Sequence, residues 1–144
     1  QTNKDIEILQ IKKNIIVVRH LKPDDFEPGV SRGCSVFYLN KGKWNYLECG
    51  NRVVLSYINN DKNPDVILFI EIDISIEIFV YLSDDSGDCK LIQKLVPDGY
   101  GDISVGIKDE DTQGMIKLIK GDSEINGKIT TFSFDSSKNQ FIEK

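Results

Sequence analysis

The sequence offers few residues able to carry out a reaction. His20 is the only histidine among the 144 residues, and no nucleophile-elbow motif accompanies it to suggest a Ser-His-Asp triad. Acidic runs at Asp84-Asp85 and at residues 109–111 have the residue type that glycosidases use, in which two carboxylates act about 5 to 10 Å apart. Acidic runs in polar turns are more often solvated, and no glycine-rich phosphate-binding loop is present. We therefore predict that the protein is not an enzyme.

Oxygen-bearing side chains that suit a cation are concentrated in one segment. Asn59, Asp61 and Asp65 come just before the apolar run Val66-Ile67-Leu68. Calcium takes about six to eight oxygen ligands, several of them from carboxylates. These three residues are therefore the candidate metal ligands of the chain.

The same acidic pair recurs later in the sequence. Asp98 and Asp102 follow Asp61 and Asp65 at an offset of 37 positions in both cases, and each pair precedes an apolar run. The two segments resemble the calcium-loop-then-strand element of FG-GAP and VCBS repeats, the units of integrin-like propellers. The resemblance implies a propeller-like set of β-sheets, with the two acidic pairs at equivalent places in two structural repeats.

Both segments depart from the family's ligand pattern. Tyr57 and Lys62 stand at a ligand position and at the glycine position of the first loop, while Lys94 and Val96 replace two ligands of the second. A lysine beside a cation site is unfavourable by charge repulsion. We favour the interpretation in which the Asp and Asn side chains cap tight turns before strands. Calcium binding by degenerate loops is the alternative, and no other cofactor is predicted.

Acidic and aromatic residues in the turns are the candidate partner-binding residues. Loops presented on a rigid β-scaffold commonly carry function, and tyrosine is frequent at the energetic centre of interfaces. The predicted partner-binding residues are Asp84, Asp85, Asp88, Asp98, Tyr100 and Asp102.

Sequence patterns typical of β-strands dominate the chain, so strands and their turns must position these residues. Three units share an aromatic strand, a polar turn and a second strand, and they predict antiparallel hairpins at residues 36–47, 78–93 and 130–143. Isoleucines alternate with polar residues from Ile70 to Ile78, which predicts one apolar face and a bend near Asp73 to Ser75. We predict a single all-β domain over residues 1–144, propeller-like or a sandwich or barrel, with little helix.

Two of the three cysteines flank the first hairpin. If its turn centres on Lys41-Gly42, Cys34 and Cys49 oppose each other across paired strands at a separation that suits a disulfide. Two small buried hydrophobic residues are the alternative. Cys89 is left over, which argues mildly against a fully oxidised framework.

Charge and composition exclude some partners and favour others. The chain has 18 Lys and Arg against 23 Asp and Glu, a net charge of −5, which disfavours nucleic acid and favours a basic protein. No segment approaches the roughly 18 apolar residues of a membrane span. The chain begins at Gln1 without an apolar leader, which predicts a mature periplasmic or extracellular protein whose signal peptide or lipoprotein leader has been removed. A chain shortened at its N-terminus would begin in the same way.

The resemblance also carries an expectation about function. Short exported bacterial proteins that resemble a truncated set of FG-GAP or VCBS units include inhibitors and immunity proteins directed at cell-wall hydrolases. The resemblance therefore implies an exported inhibitor or immunity protein that blocks a secreted antibacterial effector, such as a peptidoglycan hydrolase. Acidic loop residues of this protein would then contact the basic rim of the effector's cleft. A calcium-dependent adhesion or carbohydrate-binding module is the alternative.

Overall fold

A computed structural model describes residues 6–20, 33–59, 61–72, 75–97, 103–106, 115–120 and 128–143. These residues form twelve β-strands and no helix, which confirms the all-β prediction. The strands are β1 (Ile6–Lys12), β2 (Ile15–His20), β3 (Cys34–Asn40), β4 (Lys43–Gly50), β5 (Arg52–Ser56), β6 (Asp65–Ile72), β7 (Ser75–Ser83), β8 (Cys89–Leu95), β9 (Ile103–Gly106), β10 (Met115–Lys120), β11 (Lys128–Asp135) and β12 (Gln140–Glu143).

The strands form three successive four-stranded antiparallel sheets. Sheet 1 is β1-β2-β3-β4, sheet 2 is β5-β6-β7-β8 and sheet 3 is β9-β10-β11-β12, and in each sheet every strand pairs with its neighbours along the chain. The three predicted hairpins are confirmed as β3–β4, β7–β8 and β11–β12. Each predicted hairpin therefore consists of the third and fourth strands of its sheet in chain order.

Sheet 2 lies between the other two and is buried on both faces. Val66 and Leu68 pack against sheet 1, whereas Ile67 and Phe69 pack against sheet 3. Successive side chains of a strand point to opposite faces, so a strand covered on both sides requires an unbroken apolar run. All four side chains are at most 1% exposed, and each is worth about 1.5 to 3 kcal/mol of transfer free energy before entropy is subtracted.

The prediction of one isoleucine face is wrong, although the predicted bend is confirmed. β6 ends at Ile72 and β7 begins at Ser75, and Ile70 pairs with Glu77 across the hairpin. Paired residues share a face, so Ile70 packs towards sheet 1 while Ile76 and Ile78 pack towards sheet 3. Asp73 and Ile74 lie outside the described residues. Because Ile72 pairs with Ser75, Ile70 and Ile78 fall on opposite faces although they are evenly spaced in the sequence.

The predicted pairing of Cys34 with Cys49 is also wrong. The register set by the Lys41-Gly42 turn holds as far as Phe37, but it shifts by one residue between Phe37 and Val36. Cys34 therefore pairs with Gly50 and is buried, whereas Cys49 is exposed, and both thiols are free. A bulge of this kind adds one residue to one strand, which places the two cysteines on opposite faces.

Five connections meet at one end of the stacked sheets, which we call the turn end. They are the β1–β2 turn, the β3–β4 turn, the β5–β6 loop (residues 57–64), the β7–β8 turn and the β11–β12 turn. Asn14 joins three of them, because its Nδ2 donates to the carbonyls of Leu39 and Gly87 at 3.2 and 3.1 Å. Gly87 has a φ of +89°, and a Cβ there would come within 2.9 Å of the Leu39 oxygen, so this contact requires glycine.

The strands that follow the two acidic pairs are not equivalent. β6, which begins at Asp65, is an inner strand of sheet 2, whereas β9, which begins after Asp102, is the edge strand of sheet 3. The reason is topological: β6 is the second strand of its sheet and follows a loop that contains Asp61, whereas β9 is the first strand of its sheet. Asp98, Tyr100 and Asp102 themselves lie outside the described residues.

Candidate functional site

Asp65 anchors the β5–β6 loop from beneath. The residue is fully buried, and its two carboxylate oxygens accept the backbone N–H groups of Ile58 at 2.9 Å and of Ser83 at 3.0 Å. The Ser83 hydroxyl in turn donates to the Pro64 carbonyl. One side chain therefore fixes both ends of the loop to the start of the β7–β8 turn.

Burial changes the acidity of this carboxyl. Desolvation, together with the nearby Asp61 carboxylate, raises the pKa of Asp65 to about 7, against the lowering effect of the bonds from Ser83 and Ile58. Cys89 lies close by, and burial together with the Asp65 charge raises the pKa of its thiol to about 12. The Cys89 thiol is consequently protonated at neutral pH and is not a reactive nucleophile.

The loop above Asp65 is held by short-range side-chain acceptors. Asn59 Oδ1 accepts the Asp61 N–H at 3.4 Å, and Asp61 Oδ1 accepts the Asn63 N–H at 2.9 Å. These are the side-chain to backbone bonds of Asx turns. The interpretation of Asn59, Asp61 and Asp65 as turn-capping residues is confirmed.

Asn63 links sheet 1 to the β7–β8 turn. Its Oδ1 accepts from Lys13 Nζ at 2.7 Å, and its Nδ2 donates to Asp85 Oδ1 at 2.8 Å. Asn63 is only 4% exposed, so both bonds are partly shielded from water. The position of Asp85 is therefore fixed by a chain of contacts that begins in the β1–β2 turn.

Sheets 2 and 3 present two turns built in the same way. Asp84 Oδ1 accepts the Ser86 N–H at 2.9 Å, and Asp135 Oδ1 accepts the Ser137 N–H at 2.9 Å. The serine hydroxyls also donate to these carboxylates and are the main cause of the lowered pKa of Asp84 and of Asp135. Both carboxylates are exposed and ionised at neutral pH.

An open cleft of about 420 Å³ lies between the β5–β6 loop and the β7–β8 turn, with the β11–β12 turn at its margin. Leu82 and Ile92 form its apolar floor and are partly buried against the core between sheets 2 and 3. Asn139, at a φ of +54°, contributes the margin from sheet 3. Its polar walls are Asn59, Asp61, Asn63, Ser83, Asp84, Asp85 and Lys90.

The cleft carries negative charge. Three carboxylates, those of Asp61, Asp84 and Asp85, face one ammonium group, that of Lys90, which leaves an excess of two negative charges. Lys90 lies 3.9 Å from the Asp88 carboxylate, a distance at the limit of an ion pair. Such a surface attracts a cationic group and repels an anionic one.

The structure unites residues that the sequence placed in two separate sites. Asn59 and Asp61, predicted metal ligands, line the same cleft as Asp84 and Asp85, predicted partner-binding residues. Asp88 lies in the same turn without lining the cleft.

Asp65, the third predicted ligand, is fully buried, accepts a backbone N–H group at each carboxylate oxygen, and does not line the cleft. Among the described residues, no group of three or more His, Cys, Asp or Glu side chains is placed to hold a metal ion.

Sequence reasoning missed the residues that complete the cleft and fix its walls. Asn63, Lys13 and Asn139 come from three different connections, and none belongs to a motif with a known spacing. The Asp-x-Ser pattern shared by residues 84–86 and 135–137 was a usable signal for the two matching turns. Nothing in the sequence indicated that Asn139 would lie beside the first of them.

No helix in the described part of the chain is long and apolar enough to cross a membrane. The resemblance of the two acidic segments to FG-GAP and VCBS repeats stays a prediction, because no protein-family model, curated protein or solved structure matches this chain.

Proposed function

We propose that the protein is a non-catalytic binding domain whose acidic cleft receives a lysine or arginine side chain of a basic partner protein. The observation that carries this proposal is the cleft itself, in which three carboxylates surround an apolar floor. Lysine and arginine place an aliphatic stem below a charged head. Leu82 and Ile92 would contact that stem, and the carboxylates of Asp61 and Asp85 would bind the head.

The support around the cleft favours recognition by a pre-formed surface. Asp65 holds the loop, Asn63 holds Asp85, and serine donors hold Asp84. Side chains of the cleft that are held in place before binding lose little conformational entropy when a partner docks. The charged rim would mainly raise the association rate and the selectivity for basic partners.

In its specific form, the proposal is an exported inhibitor or immunity protein, located in the periplasm or outside the cell. The partner would be a secreted antibacterial effector or cell-wall hydrolase with a basic surface. A cationic residue at the rim of the enzyme's cleft would enter the acidic cleft described above, and the turn end would then cover the enzyme's substrate site.

A basic lysozyme provides the first probe. We expect calorimetry to detect binding that weakens as salt concentration rises, together with inhibition of peptidoglycan hydrolysis. Asp85→Asn removes one cleft charge and should weaken binding at least tenfold, about 1.4 kcal/mol. Glu71→Gln, which removes one exposed charge near the β6–β7 turn at the opposite end of the sheet, is the matched control and should change the affinity less than twofold.

Three results would count against the proposal. Equal losses in Asp85→Asn and Glu71→Gln would mean that only the net charge matters and that the cleft has no role. Binding without inhibition would leave the binding domain standing but would remove its role as an inhibitor of this enzyme class. If no basic hydrolase in a panel binds, the partner class is wrong.

A further inference from the structure

The face of sheet 1 that points away from sheet 2 is mainly apolar across all four strands. Cross-strand partners share a face, and here Ile8 pairs with Val18, Ile16 with Phe37, and Phe37 with Tyr46. The alternate residues of the same strands, such as Ile15 and Val17, pack against sheet 2 instead. We call this surface the outer face; its apolar residues are Ile6, Ile8, Ile11, Ile16, Val18, Phe37, Leu39, Trp44 and Tyr46.

The outer face is open to solvent and lacks charge. Ile8, Ile11 and Tyr46 are 58%, 59% and 56% exposed, and Trp44 is 48% exposed. Among the described residues of β1 to β4, the register puts no Asp, Glu, Lys or Arg on this face, and the polar positions that share it are those of His20, Ser35 and Cys49, towards one end of the sheet. Exposed apolar patches of this extent on soluble proteins mark interaction sites.

Sheet 2 shows what kind of surface covers such a face. Its own side towards sheet 1 carries Val66, Leu68 and Phe79, the same aliphatic and aromatic types that occupy the outer face. Two flat, pleated and apolar surfaces of this kind pack with side chains interdigitated at about 10 Å between sheets. The complementary surface is therefore another apolar sheet face.

The far side of the stack does not supply that surface. The described outward positions of β11 and β12 include Thr131 and Ser133 beside Ile142, a mixed surface that matches the outer face poorly. Head-to-tail stacking of copies is thus disfavoured, and it would also produce open fibres. The outer face of a second copy has the right composition. When the same face of two copies pairs about a two-fold axis, the assembly is complete at two subunits.

The size of the outer face is adequate for association. Four strands about 4.8 Å apart and about seven residues long at ~3.3 Å each give roughly 400 Å² in projection per copy. Two copies would therefore bury about 800 Å² in projection, which corresponds to a weak, concentration-dependent interface of less than about 1,200 Å².

We propose that the protein forms a two-fold symmetric homodimer through the outer face of sheet 1. The turn end stays accessible in this arrangement, because its cleft lies between sheets 2 and 3. The proposal is therefore independent of the function proposed above.

Trp44, the only tryptophan of the chain, reports directly on this face. We expect sedimentation under reducing conditions to show a monomer–dimer equilibrium as concentration rises, and the Trp44 emission maximum to shift to shorter wavelength with the same midpoint. Ile8→Glu and Ile11→Glu should each weaken dimerisation at least tenfold. Leu91→Glu, at a 51% exposed position on β8 outside this face, should change dimerisation less than twofold.

Each other outcome overturns the proposal. A chain that stays monomeric at every concentration has no such dimer. A dimer that forms without a change in Trp44 emission, or that Leu91→Glu weakens as much as Ile8→Glu does, uses another surface. Masses that continue to grow beyond the dimer would indicate head-to-tail stacking. Circular dichroism of the variants shows whether a loss of association reflects a loss of folding, since all three substituted side chains are exposed in the monomer.

Discussion

The β5–β6 loop and the β7–β8 turn lie side by side and are both rich in aspartate, yet their carboxylates have opposite properties. Asp65 is buried beneath the loop, and desolvation raises its pKa to about 7. Asp84 is exposed in the turn, and hydrogen bonds from Ser86 and from backbone N–H groups lower its pKa. Both side chains accept backbone N–H groups, so these backbone bonds alone do not explain why the pKa of one is raised and that of the other is lowered.

The different exposure of the two carboxylates to water explains this difference in pKa. A carboxylate removed from water costs free energy that hydrogen bonds only partly offset, whereas an exposed carboxylate keeps its hydration and gains the bonds as well. The comparison separates two roles within one acidic cluster. Asp65 maintains the shape of the turn end, while Asp61, Asp84 and Asp85 present charge at its surface.

The largest expected effect tests the structural role of Asp65. Asp65→Ala leaves the N–H groups of Ile58 and Ser83 without their acceptor in a buried site, and we expect the free energy of unfolding to fall by about 2 to 4 kcal/mol. Urea denaturation measures this loss. Asp84→Ala is the matched control in the neighbouring turn, where water can replace the lost acceptor, and it should cost clearly less. Equal losses in the two variants would remove the distinction between the regions.

The pH dependence of stability tests the same difference through ionisation. In the unfolded chain an aspartate is ionised above pH about 4, whereas folded Asp65 keeps its proton up to pH about 7. Between these values the folded state binds more protons than the unfolded state, so the free energy of unfolding falls as pH rises. We expect this group to contribute a fall of about 2 kcal/mol between pH 5 and pH 7.

Asp65→Asn, which does not titrate, is the control for this measurement. Urea denaturation at a series of pH values should show the fall in wild type and a flatter profile in Asp65→Asn. Asp84 ionises at lower pH in the folded than in the unfolded state, so Asp84→Asn should leave the profile above pH 5 unchanged. Parallel profiles for wild type and Asp65→Asn would show that Asp65 is already ionised at pH 5.

The smallest expected effect concerns calcium. Because Asp65 bonds to backbone N–H groups and Asp61 caps its own loop, millimolar calcium followed by a chelator should leave the melting temperature unchanged. A ligand at a hundred times its dissociation constant would add about 2.7 kcal/mol. A clear calcium-dependent rise would contradict the turn-capping role and favour the adhesion or carbohydrate-binding alternative.

The hairpins could be predicted because their information is local. The turn at Lys41-Gly42 places two residues at positive φ, and such turns fix the register of the strands beside them. The predicted register is wrong only farther from the turn, beyond Phe37, where a bulge shifts the pairing. Leu47 packs there against the core between sheets 1 and 2. A bulge responds to packing against another sheet, which the hairpin sequence does not contain.

The candidate site could be predicted only in part, for a related reason. Asp84 and Asp85 were found as exposed turn residues, and Asn59 and Asp61 as loop acceptors. That they share one cleft depends on contacts between residues distant in the chain, such as Asn63 with Asp85 and with Lys13. Residues that recur at a fixed spacing, as Asp61 and Asp98 do, need not precede equivalent strands, because β6 is the second strand of sheet 2 whereas β9 is the first strand of sheet 3.

By itself, the sequence determined the strand content, the three hairpins and the capping chemistry of the acidic turns, because each depends on neighbours a few residues away. The tertiary structure decided which faces are buried, that Cys34 and Cys49 lie apart, and which carboxylates remain in water. These depend on how sheets stack, and stacking is set by the summed burial of many side chains that no short segment specifies. Asp65 and Asp84 are the same residue type, and their different exposure to solvent makes one a buried support and the other a surface charge.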